Sequence, residues 1–351
     1  MEPLRLGILG CAKIAGIFCR HVIGGPAPSP RVRVVAVASR QAATAEAFAA
    51  THGIGRAHGS YEALLADEEV EAVYIPLPNS LHAPWAVHAA EAGKHVLCEK
   101  PLALSLAEAR TMFGAARKAG VLLLEGYPYW FQPQTGDMLD LLHGGAIGRV
   151  KSVQASFGFT LANAQENIRM NAELGGGALL DAGSYAVSLI RLVMGEAPLS
   201  VRAESAWSAS EGGVDISTRG TLFFAEGRRA QMSCAMDTAL HRHATIVGDG
   251  GVIHTEFLNH TSREPRGDAA GHLPSLLRVR RGSGPVPFEE VHSATGSGFR
   301  FAAEAFARVV AERDTDAIER AAAASLDIAA TLEALALSAR RGGETVDVPQ
   351  A

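Results

Sequence analysis

Gly7-Ile8-Leu9-Gly10-Cys11-Ala12-Lys13-Ile14-Ala15 decides how the first third of this chain is read. The apolar run Leu4–Gly10 ends in a turn of small residues, and Ala12–Ile23 follows with helical patterning. Gly10-x-Ala12-x-x-Ala15 is a version of the dinucleotide fingerprint with alanine at the second and third small positions. That chemistry asks for a tight turn at Gly10 and close approach of the backbone to a pyrophosphate near Ala12. It also asks for a small residue at Ala15, so that helix and strand pack closely. Backbone N–H groups and the helix dipole then stabilise the anion, which assigns Gly10, Ala12, Lys13 and Ile14 to a cofactor.

The pattern repeats outward from this turn. Val32–Ser39 reads as a buried strand and Ala42–Thr51 as a helix; Ala72–Leu77 is the next strand, and Leu81–Ala92, closed by Gly93, the next helix. His95–Glu99, Ser105–Ala119 and Val121–Glu125 continue the alternation. Strands alternating with helices of this length give βαβ units and a parallel sheet covered on both faces. After about Gly126 the period changes. Val150–Phe159, Leu199–Ser208, Ser217–Phe224, Arg229–Ala235 and Thr245–Val247 alternate apolar and polar residues, the mark of an antiparallel sheet with one solvated face. Asn259–Ser297 reads as a long loop with one strand near Leu276–Arg280, and the helices Arg300–Glu312 and Ile318–Ala339 close the chain. The expected organisation is an α/β domain over residues 1–125 and an α+β domain over 126–351.

Composition narrows the function. A length of 351 residues suits two domains, and 48% apolar with 20% charged residues is globular. Lys and Arg total 32 against 37 Asp and Glu, a net charge of −5 with no basic block, which argues against a nucleic-acid partner. Cys11, Cys19, Cys98 and Cys234 form no CxxC pair, as expected in a reducing compartment. With no leader-like start and no apolar run of about 18 residues, a cytoplasmic protein without a membrane span is expected. Asn259-His260-Thr261 fits the glycosylation triplet, which without a secretion route carries no weight. His241 and His243 lack an acidic partner pattern, so no metal site is expected.

Ribose choice is read at the end of the second strand, where Ala38-Ser39-Arg40-Gln41 offers a hydroxyl and a guanidinium in place of an acid. Arginine gives a charge-assisted fork to a 2′-phosphate, so NADP(H) is favoured and NAD(H) is the alternative. Glu99-Lys100-Pro101 follows the strand His95–Cys98 at a carboxyl end of the sheet, where ligands of open α/β sheets bind. A lysine in that place is able to handle a substrate proton.

With these residues in hand, the chain resembles the glucose–fructose oxidoreductase / inositol dehydrogenase (Gfo/Idh/MocA) family. The resemblance rests on Gly7–Ala15, Ser39-Arg40, Pro76-Leu77-Pro78-Asn79-Ser80-Leu81-His82 and Glu99-Lys100-Pro101-Leu102-Ala103. It continues through Glu125-Gly126-Tyr127, Asn167-Ile168-Arg169 and Gly175-Gly176-Gly177-Ala178-Leu179-Leu180-Asp181-Ala182-Gly183-Ser184-Tyr185. The branch it is most similar to contains the NADP-dependent D-xylose and trans-dihydrodiol dehydrogenases, which carry tyrosine at the position of Tyr185. The resemblance implies an N-terminal Rossmann domain and a C-terminal α+β domain whose open, mostly antiparallel sheet often joins homodimers or homotetramers. It also implies that Lys100 lies beside nicotinamide and substrate, that Asp181 and Tyr185 complete the site, and that the Lys100–Pro101 bond is cis.

Asp181 and Tyr185 stand four residues apart at the start of the amphipathic helix Tyr185–Met194, so both share a face if the helix begins by Asp181. Tyr185 then takes a hydroxyl proton as hydride leaves for nicotinamide. Lys100 stabilises the tyrosinate or acts as the base itself, and Asp181 orients a sugar hydroxyl or the lysine. Pro76, Leu77, Pro78, Asn79, His82 and Glu99 are assigned to the cofactor. Arg169 is assigned to a substrate hydroxyl, with the cofactor as the alternative, and Tyr127, Trp130 and Phe131 to an apolar wall for a sugar face. Trp130 and Gln132 stand where the family more usually has basic residues, which leaves the sugar open. The expected function is an NADP-dependent oxidoreductase acting on a sugar or cyclic diol. The alternatives are a sugar-nucleotide ketoreductase and a catalytically silent NADP-binding regulator.

Overall fold

The computed structural model describes residues 2–24, 28–209 and 212–350. The chain folds as two compact units. The first comprises Met1–Ala103, Ala107–Pro128 and Ser297–Ala323; the second comprises Leu104–Leu106, Tyr129–Gly296 and Ala324–Ala351.

The first unit is built on six parallel strands: β1 (Leu4–Leu9), β2 (Val32–Ala38), β3 (Arg56–His58), β4 (Ala72–Ile75), β5 (His95–Glu99) and β6 (Leu123–Gly126). Their order is β3-β2-β1-β4-β5-β6. Strands buried on both faces read as continuous apolar runs, and β4, Ala-Val-Tyr-Ile, is buried at every position. The order reverses between β1 and β4. Ile8 pairs with Tyr74 there, and Ile75 pairs with Cys98 of β5, so the carboxyl ends of β1, β4 and β5 emerge side by side at the switch point where such sheets bind ligands. Helices α1 (Lys13–Val22), α2 (Ala42–His52), α4 (His82–Glu91) and α5 (Leu106–Ala119) follow the expected alternation. β3 and α3 (Tyr61–Leu65) were not expected from the sequence. Phe18 of α1 stacks on Tyr74 with ring centres 4.2 Å apart and meets Phe299 edge-on at 5.9 Å. Phe299 belongs to α8 (Gly298–Glu312), so a helix from late in the chain closes this core.

The second unit carries a nine-stranded sheet. Its strands are β7 (Val150–Thr160), β8 (Ser200–Trp207), β9 (Asp215–Phe223), β10 (Arg229–Ala235), β11 (Asp237–Gly248), β12 (Gly251–Thr255), β13 (Leu277–Arg281), β14 (Glu289–Glu290) and β15 (Val346–Asp347). The order is β14-β13-β12-β11-β7-β10-β9-β8-β15, antiparallel except for the β7–β10 pair. β11 runs from Asp237, well before the expected Thr245–Val247, because His241-Arg242-His243 breaks the apolar alternation without breaking the strand. Two further helices belong here: α6 (Pro133–His143), with proline in its first turn, and α7 (Ser184–Met194), which packs against β7 and β10. Residues of α9 (Thr315–Arg340) are divided between the units. By length and composition α9 and the helical stretch Ala172–Met194 would suffice to cross a membrane, but their most apolar windows are 56% and 72% buried inside the protein.

Burial pushes the imidazoles of His52, His82, His95 and His254 below the usual 6.5. In the unfolded chain these groups protonate first, so the unfolded state binds more protons and stability rises with pH through this range. Stability is therefore expected to be complete above about pH 6.5 and to fall as pH drops below it. Urea midpoints measured between neutral and mildly acidic pH check this; a flat profile would contradict it.

Candidate active site

Gly10 ends β1 with φ +110°, a conformation that side chains rarely adopt, and a Cβ there would meet Leu77 Cδ2 at 2.8 Å. Its N–H donates to Ala38 O at 2.9 Å, tying the turn to β2. Ala12, the N-cap of α1, offers no side-chain cap, and the first turn holds no acid. The first N–H groups of α1 thus have no intrahelical or side-chain partner, which is the chemistry a diphosphate requires. Beside this turn Ser39 is half-buried, its N–H donating to His58 O at 3.1 Å, and Arg40 is exposed. No acid stands between β2 and Glu46. These residues fit an NADP-type dinucleotide. Gly10→Ala is expected to cost about 1–3 kcal/mol in strain and to weaken dinucleotide binding. Urea unfolding and NADPH titration of the variant check both parts.

The loops at the ends of β4 and β5 are fastened from below. Pro76 is buried, while Leu77, Pro78 and Asn79 are half-buried around a short turn closed by Leu81 N–H donating to Pro78 O at 2.8 Å. His82, at the start of α4, is fully buried. Its Nδ1 lies 2.8 Å from Pro101 O and its Nε2 2.9 Å from Leu77 O. Burial keeps this imidazole neutral, so it donates to one of the two carbonyls at a time. The Lys100–Pro101 peptide bond is cis. Tyr74 donates to Glu99 Oε1 at 2.6 Å, Lys100 N–H to Glu99 Oε2 at 3.2 Å, and Leu102 N–H to the buried Glu125 at 2.8 Å. Lys100 itself is half-buried, on a loop whose neighbours are fixed by two carboxylates and an imidazole. Tyr127, past the end of β6, is fully buried.

In the second unit the glycine run Gly175-Gly176-Gly177 turns the chain into a helix. At Gly177 φ is +112°, and a Cβ would collide with the Asp215 carboxylate. That carboxylate accepts from Leu179 N–H at 2.7 Å and from Thr218 Oγ1 at 2.8 Å, capping the helix start. Helical backbone begins by Ala178, and Leu179–Gly183 winds as one π-helical turn that runs on into α7. Asp181 sits in this π turn and Tyr185 in the first turn of α7. The Asp181 carboxylate is gripped by Arg169, with Nε to Oδ2 at 2.6 Å and Nη2 to Oδ1 at 3.4 Å. Burial opposes the Arg169 charge, but Asp181 outweighs it and raises the guanidinium pKa. The structure therefore brings Asp181 and Arg169 together as a forked pair.

Tyr185 lies in an aromatic cluster with Tyr129 and Phe157, ring centres 5.9 and 5.5 Å away. Its phenol oxygen accepts from Asn259 Nδ2 at 3.0 Å. Asn259 is held in turn by Gln132, whose side-chain amide donates to Asn259 O at 2.7 Å and Gly296 O at 2.9 Å. Trp130 is half-buried and donates from Nε1 to the Tyr129 hydroxyl at 2.8 Å; that hydroxyl also pairs with Ser188 Oγ at 2.7 Å. Burial pushes the Tyr129 phenol up, so it stays protonated. Arg242 of β11 completes the cluster, its guanidinium carbon 4.0 Å from the Tyr185 ring centre. Asp215, Tyr129 and Arg242 were not singled out from the sequence, and Asn259 was read only as part of a glycosylation triplet. Arg242 alone left a signal there: a charged residue at an inward position of an alternating strand.

Two family models match the chain: residues 4–127 fit "Oxidoreductase family, NAD-binding Rossmann fold", and residues 137–254 fit the "GFO/IDH/MocA C-terminal domain". A D-xylose 1-dehydrogenase (NADP(+)) of Haloferax volcanii is 36% identical over 97% of this chain and 98% of its own length. The trans-1,2-dihydrobenzene-1,2-diol dehydrogenase of Danio rerio is 38% identical over 71% of this chain and 73% of its own. Among solved structures, a 3-ketoreductase from Actinomadura kijaniata in complex with NADP and TDP-benzene superposes with a TM-score of 0.80. It shares 29% identity and covers 96% of this chain and 98% of its own.

Proposed function

The chain belongs to the GFO/IDH/MocA oxidoreductase family, and on that premise we propose that it is an NADP-dependent dehydrogenase or reductase acting on a hydroxyl or carbonyl carbon of a sugar or cyclic diol. Residues 1–125 bind the dinucleotide and 126–351 the substrate. The observation that carries the reading is Tyr185: a buried phenol whose oxygen is oriented by Asn259, set four residues from a carboxylate that is itself held by a guanidinium.

NADP(H), when bound, accepts or supplies the hydride. Gly10, Ala12, Lys13 and Ile14 receive its diphosphate, Ser39 and Arg40 its 2′-phosphate, and Pro76, Leu77, Pro78, Asn79 and Glu99 frame the rest. His82 acts from beneath, donating to either the Leu77 or the Pro101 carbonyl. Tyr185 exchanges the proton of the substrate oxygen, and Lys100 stabilises the charge that this exchange leaves. Asp181, fixed by Arg169, orients a neighbouring substrate hydroxyl. Tyr127 and Trp130 are assigned to the apolar face of the substrate.

The sugar-nucleotide alternative draws on the likeness to the Actinomadura ketoreductase. Offering the protein free aldoses, cyclic diols and dTDP-linked sugars with NADP⁺, and their keto forms with NADPH, separates the classes. Turnover of free aldoses or diols supports the proposal, and turnover confined to dTDP-linked substrates would replace it. The chain is expected to work as a homo-oligomer. The open face of the nine-stranded sheet forms a trough of about 1000 Å³ lined by polar and charged residues, Gln154, Arg202, Glu204, Arg219 and Gln231 among them, which suits a second copy. Light scattering at working concentration tests this. All four cysteines are free thiols, in keeping with a cytoplasmic setting.

A further inference from the structure

Arg242 is surrounded by aromatic rings. Its guanidinium carbon lies 4.0 Å from the ring centre of Tyr185, 4.8 Å from Phe257, 4.9 Å from Phe157 and 5.2 Å from Tyr129. Nε and Nη2 have no hydrogen-bond partner, and among the described residues no carboxylate pairs with it. A buried cation without a counter-charge is costly, and arginine is almost never fully buried unless it is paired. Burial lowers its pKa only to about 10, so it stays charged at neutral pH. Apart from Lys100, assigned above to the same charge, two ionisable groups near Tyr185 already have their charge settled. Arg169 is neutralised by Asp181 in a forked pair, and Tyr129 is kept neutral by burial.

We propose that Arg242 is a positioning residue for the reaction: stacked on the Tyr185 ring, it fixes the ring plane and is the counter-charge for the phenolate that forms there, while Asn259 orients the phenol oxygen. This rests on Tyr185 being the group that exchanges the proton. In the reducing direction the substrate carbonyl carbon takes the hydride of NADPH and its oxygen takes the Tyr185 proton, leaving a phenolate that solvent reprotonates. A phenolate spreads its charge into the ring, so a cation on the ring face binds it more strongly than it binds the neutral phenol. The missing counter-charge of Arg242 is thus supplied only when Tyr185 has given up its proton, which is the form of stabilisation that accelerates a step.

The test compares R242M, which fills the aromatic box without charge, with R242K, each in the wild-type and Y185F backgrounds. The substrate is whichever aldose or diol the wild-type protein turns over. R242M is expected to lose about 10²-fold in kcat with little change in KM. It should unfold at or above the wild-type temperature, because an unpaired buried cation has been removed. R242K should retain more of the rate, and R242M should add nothing to the loss already caused by Y185F. In R242A, millimolar guanidinium is expected to restore part of the rate while urea, its neutral isostere, does not. Wild-type kcat in R242M alongside a slow Y185F would overturn the inference and leave the Tyr185 reading standing. Equal rescue by urea and guanidinium would also overturn it, since shape alone would then suffice. A Y185F enzyme at wild-type rate would remove the premise itself.

Discussion

Lys100→Met is expected to lower kcat by about 10³-fold while NADPH affinity stays close to that of the wild type. Methionine keeps the length and apolar stem of the lysine and removes only the ammonium, so the packing at the end of β5 is preserved. The loop should hold its shape, because what fixes it is elsewhere: Glu99 takes the Tyr74 hydroxyl and Lys100 N–H, Glu125 takes Leu102 N–H, and His82 reaches Pro101 O. Positioned proton-transfer or charge-stabilising groups contribute about 10²–10⁴ in rate, and Lys100 is assigned to stabilise the charge that proton exchange leaves on Tyr185. Transient kinetics with NADPH and a carbonyl substrate, beside fluorescence titration of the cofactor, separate the two effects. An unchanged rate would make Lys100 a structural residue of the turn.

Arg40→Ala is expected to weaken NADPH binding by about 10–10²-fold and to leave NADH binding nearly unchanged. Hydrogen bonds to charged groups contribute about 1.5–3 kcal/mol each. Arg40 is exposed, so salt screens its charge, and the lower part of that range applies at physiological ionic strength. The gap between wild type and variant should therefore narrow as salt is added. Titrating both proteins with both cofactors at two salt concentrations checks the sign and the origin together. Equal losses for NADH and NADPH would mean that Arg40 supports the turn and does not recognise the 2′-phosphate.

The first unit was legible because its strands are buried on both faces and read as apolar runs that periodicity cannot miss. Val32–Ala38 and Ala72–Ile75 are of this kind. β3, with three residues, and α3, with five, are too short to show a period, and the place of β3 is set by pairing with β2. In the second unit the same reading failed where polar residues point inward. Arg242 interrupts the alternation of β11, and a strand extending to Asp237 was therefore read only at Thr245–Val247. The partners of Tyr185 were hidden for a different reason. Gln132 holds Asn259 across 127 positions, and Asn259 meets Tyr185 across 74. No local pattern encodes such pairs. The motifs announced which residues carry chemistry; the groups that orient them are fixed by tertiary packing.

The most direct test of the account is the near-ultraviolet absorbance of NADPH formed when wild-type protein is mixed with NADP⁺ and a panel containing D-xylose, D-glucose, inositols and trans-cyclohexanediols, with Lys100→Met and Tyr185→Phe run in parallel. NADP⁺ is expected to be reduced by at least one member, and both variants are expected to lose the reaction while still binding NADPH. Tight NADPH binding by the wild-type protein with no turnover of any member, in either direction, would contradict it and point to a cofactor-binding regulator on the same fold.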